Sequence, residues 1–596
     1  MVTMETKPRF NQRKADVALA LVTPALVIAF TFIVIPIYFP TNDDSFAQQI
    51  FAGSISGEPL PYVTFMGYAL CWLVSKLFVA VPGIAWWTVL HLASIYISLL
   101  CIGLATLRAL RHLGRDLTRV RLFVVLLVLE CGVSVPLIGR LQFTTTGSLA
   151  ASAAVYVAVL EVLLRLRSFS GNARSNTEEP QPYSLLPFPV PILLMALGCS
   201  YRQNCGYLAF GFWILAFLII VVTQWKKMAL LDMRRACFQL LCAGIVVGAL
   251  WGVNAVAYSS PEWKSAFARG DAYAGFTDFP TTPYCENPEL YENAGWDEGL
   301  YNIASSYWYF LDPRMTTESL KAINEANSWG MRELMEHPLD AIRSRTIEMH
   351  EPVALAYIAV YAVTIGSLLW RMGDRTRRRA VWTVVAATAV LIIYLFLKGR
   401  LPLRALLSVV LPSLAVFGAM ALVIFVQSAR RNAKDGRCRF ARMTMLISLA
   451  LLPSVAAMCQ FGYFSKDYLE QASRQANIDA FQSYARHNSE TLFIYDYWAE
   501  LTPQTIWDTN WPANATQWGG WMYIMPWFDD VMRVQGFGGT PTTDSLLRDD
   551  VLFVNKDDFT RDLLIEDMKN LYGDGIGIEL VNTIGEDLRV YRFTLE

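Results

Sequence analysis

A chain of 596 residues that is 54% hydrophobic, only 17% charged and of mean hydropathy +0.34 is too apolar for an ordinary soluble domain. Its formal net charge of −1 gives no sign of a nucleic-acid partner, and none is expected; membrane lipid is the partner that the composition demands. The 10 cysteines fall mostly inside apolar runs without zinc or CxxC spacing and read as small hydrophobes, with Cys199, Cys205 and Cys285 alone placed where an outer-side disulfide could form.

The basic stretch 1–16, with Lys7, Arg9, Arg13 and Lys14, reads as a cytoplasmic N-terminus. The apolar run 17–40 exceeds a signal-peptide h-region and no A-x-A site follows it, so it is an uncleaved first span. Two further apolar stretches, 62–82 and 84–107, come next. If both crossed, RALRHLGRDLTRVR at 108–121, with Arg108, Arg111, Arg115, Arg119 and Arg121, would be left outside against the positive-inside rule. Residues 62–82 are therefore read as a juxtamembrane hairpin on the outer surface, and 84–107 as the second span. Spans near 121–139, 147–164, 185–200, 206–223, 236–258, 352–370, 380–397, 403–427 and 443–460 then alternate with basic inner loops such as LLRLRSFSGNARSNTEEPQP and RMGDRTRRR. That gives about eleven spans over 17–460, in a multi-pass cell-membrane protein with its N-terminus inside and its C-terminus outside.

Three polar regions face away from the cytoplasm in this reading: a first outer loop at 41–83, a large outer loop at 259–351 and the tail 461–596. In the tail, TLFIYDYW, DVLFVN and LRVYRFTLE read as strands, and DDFTRDLLIEDMKNLYG reads as a helix closed by glycine. The expected fold is an α-helical polytopic membrane protein with a small C-terminal α/β extracytoplasmic domain able to fold by itself. NAT at 514–516 fits the N-glycosylation pattern.

The first outer loop opens with IPIYFPTNDDSFAQQIFAG, which sets Asp43 and Asp44 directly after the first span. Thr41 or Asn42 can cap a helix whose first turn they occupy, so one reading is a solvated helix start. The other is a site. NDD in that place resembles the GT-C superfamily of membrane glycosyltransferases, whose hallmark acidic residue or pair lies in the first outer loop. PLPYVTFMGYALCWLVSKLFVAVP is similar to its juxtamembrane hairpin, and GRLQFTTTG, SYRQNCG and KGRLPLR are similar to an uncharacterised bacterial branch. Many members carry a second acid in the turn after the third span. Here that turn reads GRLQFTTTGSLA and has none, so no metal is assigned and the cofactor stays unknown.

The resemblance implies transfer of a sugar, with inversion, from a polyprenyl-phosphate-linked donor to an extracytoplasmic glycan, glycolipid or protein acceptor, with Asp43 and Asp44 catalytic. Arg140, Arg202, Arg400 and Arg404, all near outer span ends, suit phosphate oxygens, although each could equally snorkel to lipid headgroups. Asp278 and Tyr62 are taken as substrate-binding candidates. Asp297, Glu298, Trp308, Tyr309 and Asp312 suit sugar binding or simple packing, and His91 in mid-span reads as a packed or hydrogen-bonded residue. The rival readings are a transporter or flippase of a lipid-linked glycan, and a scaffold built around the tail.

Overall fold

The structure is a computed structural model that describes residues 6–113, 118–166, 188–308, 310–372, 374–431 and 436–595. The expectations for Arg115, for the loop 167–187 and for Tyr309 therefore lie outside the described residues. Among the described residues, nine α-helices precede the segment 259–351: α1 (Thr6–Val34), α2 (Asn42–Ala52), α3 (Tyr68–Ala80), α4 (Trp86–His112), α5 (Arg119–Gly139), α6 (Phe143–Arg165), α7 (Pro189–Tyr201), α8 (Gln203–Gln224) and α9 (Leu230–Ala257). Pro352–Arg371, Arg375–Leu397, Leu403–Arg431 and Gly436–Phe461 follow that segment.

Among the described residues, 10 helices are long and apolar enough to cross a membrane. The eleventh expected span, 185–200, corresponds to α7, which has only 13 residues. Helix α3 is equally short at 13 residues, about 20 Å of helix against a hydrocarbon core of about 30 Å. The expected first span also ends early. Pro36 and Pro40 disfavour helical backbone in the residues before them, so α1 stops at Val34 and 35–40 runs extended, bridging Arg140 and Thr505 through Tyr38.

Helix α6 is buried on all sides, as its Ala- and Ser-rich sequence permits, and α7 packs against it along a seam of small residues. A Cβ at Gly198 would lie 2.7 Å from both Ala151 Cβ and the Gly147 carbonyl. Cys199 and Cys205 are buried beside this seam and unpaired, and Cys285 is exposed and unpaired.

The segment 259–351 begins with α10 (Pro261–Thr277) and continues as short helices. The tail begins with helix Lys466–His487 and forms a sheet of β1 (Leu492–Tyr495), β2 (Ala515–Gln517), β3 (Val551–Asn555), β4 (Ile576–Ile584) and β5 (Leu588–Leu595) in the order β2-β1-β3-β5-β4. β1 runs parallel to β2 and β3, while β5 pairs antiparallel with both β3 and β4. Helix Asp558–Tyr572 is capped by the Asp557 carboxylate, which accepts from Thr560 N at 3.0 Å.

The tail shares one hydrophobic core with α2 and one end of α4: Phe46 and Ile50 of α2, Trp87 of α4, and Ile494 and Phe553 of the sheet belong to the same cluster. Asn514 of the NAT sequence is engaged inside the tail, its Nδ2 donating to the carbonyls of Ala485 (2.9 Å), Asn488 (3.1 Å) and Thr491 (2.8 Å). An amide so held is not presented for glycosylation.

The α6–α7 seam generates a test. Gly198→Ala should cost about 1–3 kcal/mol through overpacking. Gly211→Ala on α8, where a Cβ meets nothing within 4 Å, should be neutral or slightly stabilising. Thermal unfolding of the purified protein in nanodiscs compares the two.

Candidate functional site

Asp43 and Asp44 both lie in the first turn of α2, where carboxylates meet the positive end of the helix. Thr41 occupies the N-cap position, but its hydroxyl is buried without a partner and caps nothing. The helix closes at Gly53, whose φ of +81° suits glycine, and a Cβ there would lie 2.8 Å from the Glu58 carbonyl carbon. That turn brings the following loop back along α2.

Because successive helical side chains diverge by about 100°, the two carboxylates point into different surroundings. Asp44 is 0% exposed. Its Oδ1 accepts from Phe143 N at 3.0 Å and Trp87 Nε1 at 3.2 Å, and His91 Nε2 lies 3.3 Å away. Trp87 and His91 are four residues apart on one face of α4, with ring centroids 4.5 Å apart, and Tyr201 closes the cage at 5.1 Å from His91. The other imidazole nitrogen, Nδ1, meets Thr146 Oγ1 at 2.8 Å. The turn without a second acid thus supplies Asp44 with a backbone N–H and the imidazole with a hydroxyl.

Asp43 faces outward with its side chain 21% exposed, its Oδ2 lying 3.4 Å from Arg404 Nη1. Burial pushes its carboxyl above the ordinary carboxylate range; Arg404 opposes that, Asp44 reinforces it, Arg202 opposes it and Asp278 adds to it. Arg202 is held by Thr144, Nη1 donating to Oγ1 at 2.9 Å, and Arg400 is paired with Asp278.

Beside Asp43 is a cavity of about 500 Å³ lined by Arg140, Arg345, Arg400 and Arg404, with Thr41, Gln142 and Thr145. Glu348 and Glu351 also line it and are engaged: Glu348 accepts from Leu403 N at 2.7 Å, and Glu351 accepts from Gln460 Nε2 at 2.8 Å. Arg140 stacks over Tyr38 (3.3 Å from guanidinium carbon to ring centroid) and Phe461 (3.9 Å), and ion-pairs with Asp467, which also accepts from the Tyr38 hydroxyl.

The structure therefore brings Asp43, Arg202, Arg404, Arg400 and Asp278 together, with Arg140 across the same cavity. Asp44 stands behind them. Tyr62 is elsewhere, packed among Tyr68, Tyr258 and Trp263 with centroids 5.7, 6.2 and 5.2 Å away. Asp312 is buried and ion-pairs with Arg314 at 2.7 Å, and Asp297 joins the same arginine at 2.5 Å. The sequence reading missed Trp87 as a partner of Asp44, Asp467 as a partner of Arg140, and the tail's role. Gln48 Nε2 donates to the carbonyls of Ile506 (3.1 Å) and Asp508 (2.7 Å), and Gln49 Nε2 donates to Asp508 at 2.9 Å, clamping the tail over α2.

Among the described residues, no group of three or more His, Cys, Asp or Glu side chains is placed to hold a metal ion. No family model of known proteins matches the chain, and no curated protein matches its sequence.

The two aspartates should differ in what they do for stability. Asp44→Ala strands the Trp87 indole and the Phe143 amide in a water-free core, at about 1–3 kcal/mol for each donor left unpaired. Asp43→Ala relieves a carboxylate whose charged form burial disfavours, so its thermal midpoint should equal or exceed that of the parent at pH 7. Unfolding curves of both variants measure the difference.

Proposed function

We propose that this protein is a membrane glycosyltransferase of the GT-C type, moving a sugar from a polyprenyl-phosphate-linked donor to an acceptor on the outer side of a cell membrane. The observation that carries the reading is a partly exposed carboxylate, Asp43, set against Arg404 beside an arginine-lined cavity near the ends of the membrane helices. An active site on the outer face has no access to cytosolic nucleotide sugars, so a lipid-borne donor fits that placement.

The acceptor hydroxyl oxygen attacks the anomeric carbon as its proton passes to Asp43. The bond from that carbon to the phosphate oxygen breaks, and the phosphate leaves with the electron pair, giving inversion at the anomeric centre. Arg404, with Arg202 and Arg400, meets the charge that develops on the leaving phosphate. Of the four arginines that line the cavity, three are held by carboxylates with solvent exposure of 21–38%, Arg404 by Asp43, Arg400 by Asp278 and Arg140 by Asp467, while the fourth, Arg345, is buried against Glu333. A phosphate entering the cavity exchanges with such partners without leaving an unpaired charge behind. Asp44 acts through position alone, anchoring the first turn of α2 so that Asp43 faces Arg404.

A second reading, a transporter or flippase of a lipid-linked glycan, draws on Glu130 of α5. That carboxyl is fully buried at membrane depth, and its Oε1 accepts from Thr23 Oγ1 at 2.9 Å. It predicts that Glu130→Gln abolishes function while Asp43→Asn is tolerated.

Kinetics with a polyprenyl-phosphate sugar distinguish the two. Under the transferase reading Asp43→Asn lowers kcat by about 10²–10⁴-fold with little change in donor KM. Arg404→Gln raises donor KM and slows transfer. Since the base works deprotonated, activity is present above the Asp43 pKa and lost as pH falls through it. Because that pKa is raised, the acid limb should lie above the ordinary carboxylate range. Transfer by Asp43→Asn at the parent rate, in folded protein, contradicts the proposal.

A further inference from the structure

β1, β2 and β3 run parallel, so their carboxyl ends share one edge of the tail's sheet, and the chain leaves β1 for β2 on one side and returns to β3 on the other. In open α/β sheets the crevice at such a switch point is where ligands bind. Asp496, at the end of β1, is used internally: it accepts from Ala499 N (2.8 Å), Asn555 Nδ2 (2.9 Å) and Thr560 Oγ1 (3.1 Å), tying the turn after β1 to the end of β3. The residues it leaves at the edge are Tyr497 and Trp498, each 41% exposed, with Glu500 between Arg474 (2.5 Å) and Lys556 (3.3 Å).

Across from them the segment 259–351 contributes Tyr307, whose ring centroid is 5.2 Å from that of Tyr497, the planes 35° apart. Tyr307 and Glu500 adopt φ of +64° and +54°, a region that side-chain-bearing residues rarely enter, so backbone strain brackets the aromatic pair. Gly519, at φ +77°, allows that segment to approach: a Cβ there would lie 3.2 Å from Trp308 Cα. Two buried donors at this edge, Trp308 Nε1 and Gln517 Nε2, have no acceptor among the described residues. None of these side chains lines the arginine cavity. Asp43 is among the charges that act on Tyr497, and Asp278 and Arg400 act on Tyr307, so the pair lies within electrostatic range of the charged groups around that cavity.

We infer that the Tyr307–Tyr497 pair, with Glu500 and Gln517, forms the acceptor subsite of the proposed transferase and that the acceptor is a carbohydrate. The inference rests on the transferase reading and narrows its acceptor to one chemical class. Tyrosine faces cover the apolar C–H faces of a sugar ring, Glu500 accepts from its hydroxyls, and the unpaired Gln517 amide donates to them. A lipid acceptor has no use for an aromatic pair held between the tail and the segment 259–351.

The test is binding to the full-length Asp43→Asn protein in nanodiscs, using neutral mannan, galactan and arabinan tetrasaccharides, a serine- and threonine-rich peptide, and decaprenyl phosphate as probes. At least one tetrasaccharide should saturate. Tyr497→Ala should weaken it about 10-fold and Glu500→Gln by a similar factor, while Tyr497→Phe and Arg404→Gln stay within about 2-fold. Tyr497→Phe keeps the ring, so it separates lost stacking from lost folding. If no tetrasaccharide saturates, if Tyr497→Ala and Glu500→Gln bind as tightly as the parent, or if the peptide saturates in a Tyr497-dependent way, the carbohydrate subsite is wrong. Decaprenyl phosphate reports separately: binding that Arg404→Gln weakens leaves the transferase reading standing whatever the sugars do, and no binding at all undermines that reading itself.

Discussion

A carboxylate sealed from water must collect hydrogen bonds or give up its charge, and Asp44 collects the Phe143 amide and the Trp87 indole while His91 packs against the same oxygen. Three helices are thereby fixed relative to one another, because Asp44 begins α2, Trp87 and His91 belong to α4, and Phe143 begins α6. With Asp44 turned inward, the helical period leaves Asp43 to face Arg404. The clamp from Gln48 and Gln49 to 506–508 then seats the tail on the same short helix, so cavity, acidic pair and tail sheet all take their positions from α2.

Arg140, Arg400 and Arg404 each have a carboxylate partner, and in each pair that partner retains some contact with solvent. Such half-buried pairs contribute little to net stability, because the cost of desolvating both charges offsets their attraction. They do keep guanidinium groups oriented around a cavity of about 500 Å³ until another anion takes their place.

Much of the architecture was legible because it rests on local signals: runs of apolar residues for the membrane helices, β-branched and aromatic runs for β1, β3 and β5, and an acidic first turn for α2. What failed to show depended on partners far along the chain. β2 is three residues of a polar segment, and the mostly exposed β4 lacks clean alternation, so neither carries a strand pattern alone. The end of α1 turned on Pro36 within an apolar run. In the site, NDD marked the place, but the division between its two aspartates is set by residues 43 and 99 positions beyond Asp44. Tyr62 was drawn in by its nearness in sequence, and aromatic packing with Tyr258 and Trp263 took it elsewhere.

The central claim is that, of two adjacent carboxylates, Asp43 alone removes a proton from the acceptor. A nucleophile that has no proton to lose bypasses such a base, so azide tests the claim directly. Asp43→Ala, supplied with a polyprenyl-phosphate sugar and sodium azide, should regain donor consumption and release a glycosyl azide of inverted anomeric configuration, and Arg404→Gln should gain nothing. Folded Asp43→Ala protein that azide fails to rescue, or equal rescue of Asp44→Ala, would contradict the assignment.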